Sequence, residues 1–334
     1  MAGLSVMGYL QVTEYFDPAR QPSWGLELTL WDYVDKRELI YVDIIARKSG
    51  VGYILGGYTD VGCTATIEDL VFATETSQII AATLNTAKHA GAGVNSTTKG
   101  YILGGDTNAA TAVIEDLIFA TETSQTLAAT LDTAKYSGVG VNSATKGYIL
   151  GGNTGALTAV IEDLIFATET SQTIAATLDT AKGYGTGVNS TTKGYTLGGY
   201  TDANTTVIED LIFATETSAA IAATLDTAKG YGAGVNSATK GYILGGWNGT
   251  LTAVIEDLIF ATETSQVIAA TLDTAKYAGA GVNSTTKGYI LGGWTDADTA
   301  VIEDLIFATE TSAAIAATLD TAKDLGAGVQ NGSV

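Results

Sequence analysis

The sequence predicts an all-β protein: a six-bladed β-propeller of four-stranded blades, closed by its C-terminal strand and preceded by a small β-rich attachment segment. Three observations predict it. The string GY(I/T)LGG begins at Gly52, Gly100, Gly147, Gly194, Gly241 and Gly288, at intervals of 48, 47, 47, 47 and 47 residues, and fixed periods of this size belong to stacked or circular repeats. Each unit contains four strand-like runs, the number a propeller blade uses. Finally, the first unit lacks the GAGV run that opens the others, while the C-terminus carries a spare one at Gly326-Ala327-Gly328-Val329.

The elements of one unit follow in order. After the GAGV run comes the segment 147–152, whose terminal glycine doublet suits a positive φ or a close backbone approach at a strand end. The third run, 160–167, is apolar apart from Glu162 and Asp163, and its β-branched and aromatic content favours a strand. The fourth, 171–180, is rich in Ala and Thr. By propensity alone it also suits a helix, which would give a strand-helix solenoid instead. The two chain ends favour the closed ring, because a tail strand that completes the first blade leaves no open sheet edge.

Residues 1–48 form a separate attachment segment, and 49–334 form the propeller. Both prolines, Pro18 and Pro22, and all three arginines, Arg20, Arg37 and Arg47, lie before the boundary. Runs at 24–31 and 38–45 read as strands around the charged turn Asp35-Lys36-Arg37. So small a unit buries too little surface to stand alone, so it is expected to dock on another protein or to self-associate into a homo-oligomer.

The formal charge of −20 argues against a nucleic-acid partner, which needs clustered basic residues, and against an anionic membrane surface. No run approaches the ~20 apolar residues that span a bilayer, so no membrane insertion is expected. The opening segment lacks the basic and apolar regions of a secretory signal, which implies synthesis in the cytoplasm.

The LGG segments, together with Phe72, Phe119, Phe166, Phe213, Phe260 and Phe307 in the third run, resemble the Kelch-like propellers, whose blades carry a glycine doublet after the second strand and an aromatic in the third. The fourth strand departs from that pattern: Ile80, Leu127, Ile174, Ile221, Ile268 and Ile315 stand where the family has Trp.

Comparison of the units with one another locates the candidate site. The turns at 142–146 and 167–171 hardly vary. The loop after the glycine doublet does, opening with Tyr58, Asp106, Asn153, Tyr200, Trp247 and Trp294, and so does the pair after each Thr-Ala-Lys, which contributes His89, Tyr136, Tyr184, Tyr231 and Tyr277. In an up-and-down blade these two connections leave the same edge of the sheet, so both variable sets should crowd one face. Loops on a rigid scaffold carry binding. Aromatics beside Asp and Asn suit a glycan or protein ligand, and exposed Trp and Tyr are disfavoured as neutral loop drift.

Catalysis is not expected. The repeated Glu-Asp pair, as in Glu115-Asp116 and Glu162-Asp163, points to opposite faces of a strand, with one carboxylate solvated and the other hydrogen-bonded. A sialidase-type site needs an Arg cluster, and no Arg follows Arg47. Cys63 and His89 each occur once, in different variable loops. No cofactor is expected; Asp202 with Asn204, and Asp296 with Asp298, offer oxygens of the kind calcium accepts without completing a calcium motif. An attachment module joined to a ring with one diversified face resembles phage tail-fibre and receptor-binding proteins in organisation. That resemblance implies a virion protein whose partners are a host-surface glycan or receptor and, through residues 1–48, other tail or baseplate proteins. The alternative is a cytoplasmic Kelch-like scaffold that recruits a protein.

Overall fold

The computed structural model describes residues 50–332 together with the pairs Leu28–Thr29 and Tyr41–Val42. The chain divides into two compact units, Met1–Lys48 and Ser49–Val334. In the first, Leu28–Thr29 pairs antiparallel with Tyr41–Val42. The turn at 35–37, the rest of the two expected strand runs and the expected docking surface lie outside the described residues.

The second unit is a ring of six four-stranded antiparallel sheets. Blade 3 shows the pattern: Val139–Asn142, Lys146–Leu150, Val160–Ile165 and Thr170–Thr177 pair in chain order from the axis outward. Blade 1 draws on both ends of the propeller, since Ala327–Asn331 pairs with Val51–Leu55 in a continuous register from Ala327↔Leu55 to Asn331↔Val51. The tail therefore closes the circle. The fourth run is a strand in every blade, which excludes the strand-helix solenoid. Its threonines are β-branched, and the edge of the third strand offers Thr170–Thr177 a ladder of partners, which outweighs the helix propensity of its alanines.

Buried charge joins the blades, and here one expectation is corrected: neither carboxylate of the repeated pair is solvated. Glu162 and Asp163 are both fully buried. They point to opposite faces of the strand, and each face meets a lysine. Glu162 lies 2.7 Å from Lys135 of the connection leading in from blade 2. Asp163 lies 2.7 Å from Lys146 of its own blade, which reaches on to Glu216 of blade 4 at 2.6 Å. The Tyr148 hydroxyl donates to the same Glu216, and its ring stacks on Phe213 with centroids 5.6 Å apart. Unpaired, such buried charges would each be costly; paired across the seam, they tie neighbouring sheets in one register. Adjacency to the next blade, which a single repeat does not display, is why solvation was expected.

Glycine sets how closely the sheets approach. A Cβ on Gly187, in the innermost strand of blade 4, would sit 2.2 Å from the Gly140 carbonyl oxygen of blade 3, and the same contact recurs around the axis. In the doublet, Gly151 and Gly152 have φ of 62° and 111°, so both positions need glycine for conformation as well as for space.

Candidate functional site: the variable rim

The two variable sets meet. The residue that follows each glycine doublet bridges to the residue that follows each Thr-Ala-Lys: Tyr58 to Asp324, Asp106 to His89, Asn153 to Tyr136, Tyr200 to Gly183, Trp247 to Gly230 and Trp294 to Tyr277. Both sets therefore occupy one rim of the ring.

A circle of backbone hydrogen bonds frames the mouth of the axis on this rim. The N–H of Ser137 donates to the carbonyl of Ala90, Tyr184 to Ser137, Tyr231 to Tyr184, Ala278 to Tyr231, Leu325 to Ala278 and Ala90 to Leu325, at 2.7–2.8 Å. All six residues are left-handed, with φ between 50° and 59°. Each is the second member of its variable pair, so side-chain order decides placement. Tyr184 and Tyr231 fall on the circle and line a mouth of about 110 Å³, whereas Tyr136 and Tyr277 fall one residue before it.

The result is a continuous aromatic arc. Tyr136 meets Tyr184 edge-on at 6.5 Å, Tyr184 stacks on Tyr231 at 4.3 Å, Tyr231 meets Tyr277 at 5.6 Å and Tyr277 meets Trp247 at 5.8 Å. Asn204 of blade 4 donates from Nδ2 to the Trp247 carbonyl at 2.9 Å. Trp247, Tyr200 and Tyr58 are exposed, and the other aromatics of the two sets are half-buried. Asn153 differs in kind, since its Oδ1 accepts the Gly155 N–H at 2.8 Å and serves its own turn. Trp294 bridges Tyr277 through backbone, outside the ring contacts of the arc.

Cys63 and His89, expected in separate loops, stand side by side: Cys63 Sγ lies 3.3 Å from His89 Nδ1, and Tyr58 packs edge-on against the imidazole at 5.1 Å. Asp106 adjoins both, its backbone carbonyl 3.8 Å from the sulfur. Burial pushes the thiol up and the imidazole down, Asp106 raising both. Both shifts favour the uncharged form of the group concerned, whereas a cysteine nucleophile depends on its thiolate.

An acidic group gathers where blade 6 meets blade 1. Burial, then Asp60, pushes Asp298 up to about 6, and burial, then Asp298, pushes Asp324 up to about 7. Among the described residues no group of three acidic, His or Cys side chains is arranged to hold a metal. The lysines nearest this rim are Lys88, Lys135, Lys182, Lys229, Lys276 and Lys323, each at most 1% exposed and each paired with a glutamate. The rim therefore presents aromatic faces and oxygen acceptors with no free cation among the described residues.

Neither a family model nor a curated protein matches the chain. Sequence comparison of the units located the rim and its aromatics. It missed the Cys63–His89 contact, the acidic group and the left-handed circle, all of which depend on adjacency between blades.

Proposed function

We propose that the propeller is a non-enzymatic recognition module that binds carbohydrate through the aromatic arc of the variable rim, as a tail-fibre type adhesin recognising a host-surface glycan. The observation that carries this reading is the arc Tyr136–Tyr184–Tyr231–Tyr277–Trp247 on the one rim whose loops differ between blades. Sugar rings stack their C–H faces on such surfaces while Asp and Asn take up hydroxyl hydrogens. With no free lysine or arginine on the described rim, neutral or amino sugars are favoured over uronic or sialic acids, whose carboxylates call for bidentate cations. Burial, which favours the uncharged thiol of Cys63 and the uncharged imidazole of His89, supports the non-enzymatic reading. In this reading residues 1–48 carry the propeller on a virion tail, by attachment or self-association.

A Kelch-like scaffold for a protein partner is the second reading, supported by the left-handed glycine doublets. One experiment separates the two. Wild type and the double variant Tyr200→Ala, Trp247→Ala are applied to a glycan array and to a display library of folded proteins. Both side chains are exposed, so their loss leaves the core intact. Adhesin function predicts saturable binding of neutral or amino glycans, weakened roughly thirtyfold in the variant, the effect of removing an interface anchor of about 2 kcal/mol. Absence of any glycan bound by wild type would sink the adhesin, and a captured protein displaced by the same substitutions would establish the scaffold.

A further inference from the structure

The opposite rim, nearly constant between blades, opens into a funnel on the axis with a volume of about 310 Å³. Its wall is a ring of six side-chain amides, Asn95, Asn142, Asn189, Asn236, Asn283 and Gln330, each at or near the end of an innermost strand. The ring is ordered by backbone donors. The Asn95 N–H donates to Asn142 Oδ1 and Asn189 to Asn236 Oδ1, both at 3.4 Å; Asn236 donates to Asn283 Oδ1 at 3.2 Å and Asn283 to Gln330 Oε1 at 2.9 Å.

A backbone N–H can only donate, so it selects the carbonyl of the neighbouring amide and leaves that amide's NH₂ uncommitted. Four of the six amides, Asn142, Asn236, Asn283 and Gln330, therefore commit their carbonyl to a backbone donor and keep the NH₂ as a donor for something else. Asn283 shows the consequence: it is 4% exposed, and its Nδ2 is buried without a partner. Buried donors of this kind require an acceptor. The nearby turn hydroxyls cannot supply one, because Ser143 Oγ already accepts the Lys146 N–H at 3.0 Å and donates to the Lys146 carbonyl at 3.3 Å, as its counterparts do in the other turns.

We propose that the amide-ringed funnel binds a small oxyanion, a sulfate, phosphate or carboxylate group, on the propeller axis. Neutral converging donors hold an oxyanion through short charge-assisted hydrogen bonds. The negative net charge opposes this at long range, but screening confines that repulsion to about 8 Å at physiological ionic strength. No carboxylate stands among the described residues that line the funnel.

The test uses the full chain with sodium sulfate, sodium phosphate and sodium acetate, each compared with sodium chloride at equal ionic strength. Calorimetry and the side-chain amide resonances in ¹H–¹⁵N spectra are the readouts. Wild type should bind one or more of the three saturably, with amide shifts on the axial ring, and the responding salts distinguish a tetrahedral from a carboxylate ligand. In Asn236→Asp, Asn283→Asp the carboxylates still accept the backbone N–H groups but replace the amide donors of two lining residues by acceptors, so binding should weaken at least about tenfold. Tyr200→Ala, Trp247→Ala, on the other rim, should bind the anion as wild type does. Absence of a saturable response in wild type to all three salts overturns the site without reference to any variant. Undiminished affinity in the double Asp variant does so as well.

Discussion

At the scale of single residues, the most informative groups are those whose charge is at odds with their surroundings. Asp324 is 7% exposed, its Oδ1 has no hydrogen-bond partner, and burial, followed by Asp298, raises its pKa to about 7. A raised carboxyl pKa means that the folded state holds the proton more tightly than the unfolded chain, whose value is about 3.9. The native state therefore loses stability as pH rises from about 4 through 7, and is relieved of that penalty on the acid side. Asp324→Asn should raise the stability measured at pH 8 by on the order of 2 kcal/mol, with the gain over wild type vanishing near pH 4. Thermal melts of both proteins at the two values check this, and a gain independent of pH would show that the carboxylate stays ionised in the fold. None of this was legible in the sequence, where Asp324 and Asp298 are loop residues 26 positions apart. The tyrosines and tryptophans of the rim were legible, because they differ between units that are otherwise almost copies. The one-residue shift that sets Tyr184 on the axis and Tyr136 beside it becomes meaningful once the left-handed circle is seen.

At the scale of the element, the innermost strand is limited by what it lacks. Its central glycine leaves room for the carbonyl of the preceding blade, so Gly187→Ala forces a Cβ to within 2.2 Å of Gly140 O. A backbone atom cannot turn aside as a side chain can, and the sheets must separate. Loss of about 1–3 kcal/mol, the usual effect of overpacking, is expected in chemical denaturation, and an unchanged midpoint would mean that the blades are looser than described. The second and third strands were readable from their β-branched runs and the doublet. The fourth was ambiguous because alanine favours helices in isolation, and the deciding factor, an unfilled sheet edge beside it, is tertiary. The Glu-Asp pair was misjudged for the same reason: Lys135, from the connection between two blades, and Lys146, from the second strand, approach Glu162 and Asp163 on two faces.

At the scale of the molecule, closure was the most legible feature, since a missing run and a spare run in a periodic sequence complement each other wherever the ring is cut. Deleting residues 326–334 removes the partner of Val51–Leu55 and takes Gly326 from the axial mouth. It exposes Val51, Tyr53 and Leu55, which are fully buried in the intact ring, along an unpaired strand edge that invites association. Size-exclusion chromatography should show aggregates and calorimetry the loss of a single sharp transition, while a monodisperse protein with an unaltered melting temperature would contradict a structural role for the tail. The same seam orders events during synthesis. The strand that completes blade 1 is the final part of the ring to leave the ribosome, so blades 2 to 6 must assemble side by side while the first sheet waits, three strands wide, for a partner made roughly 270 residues later.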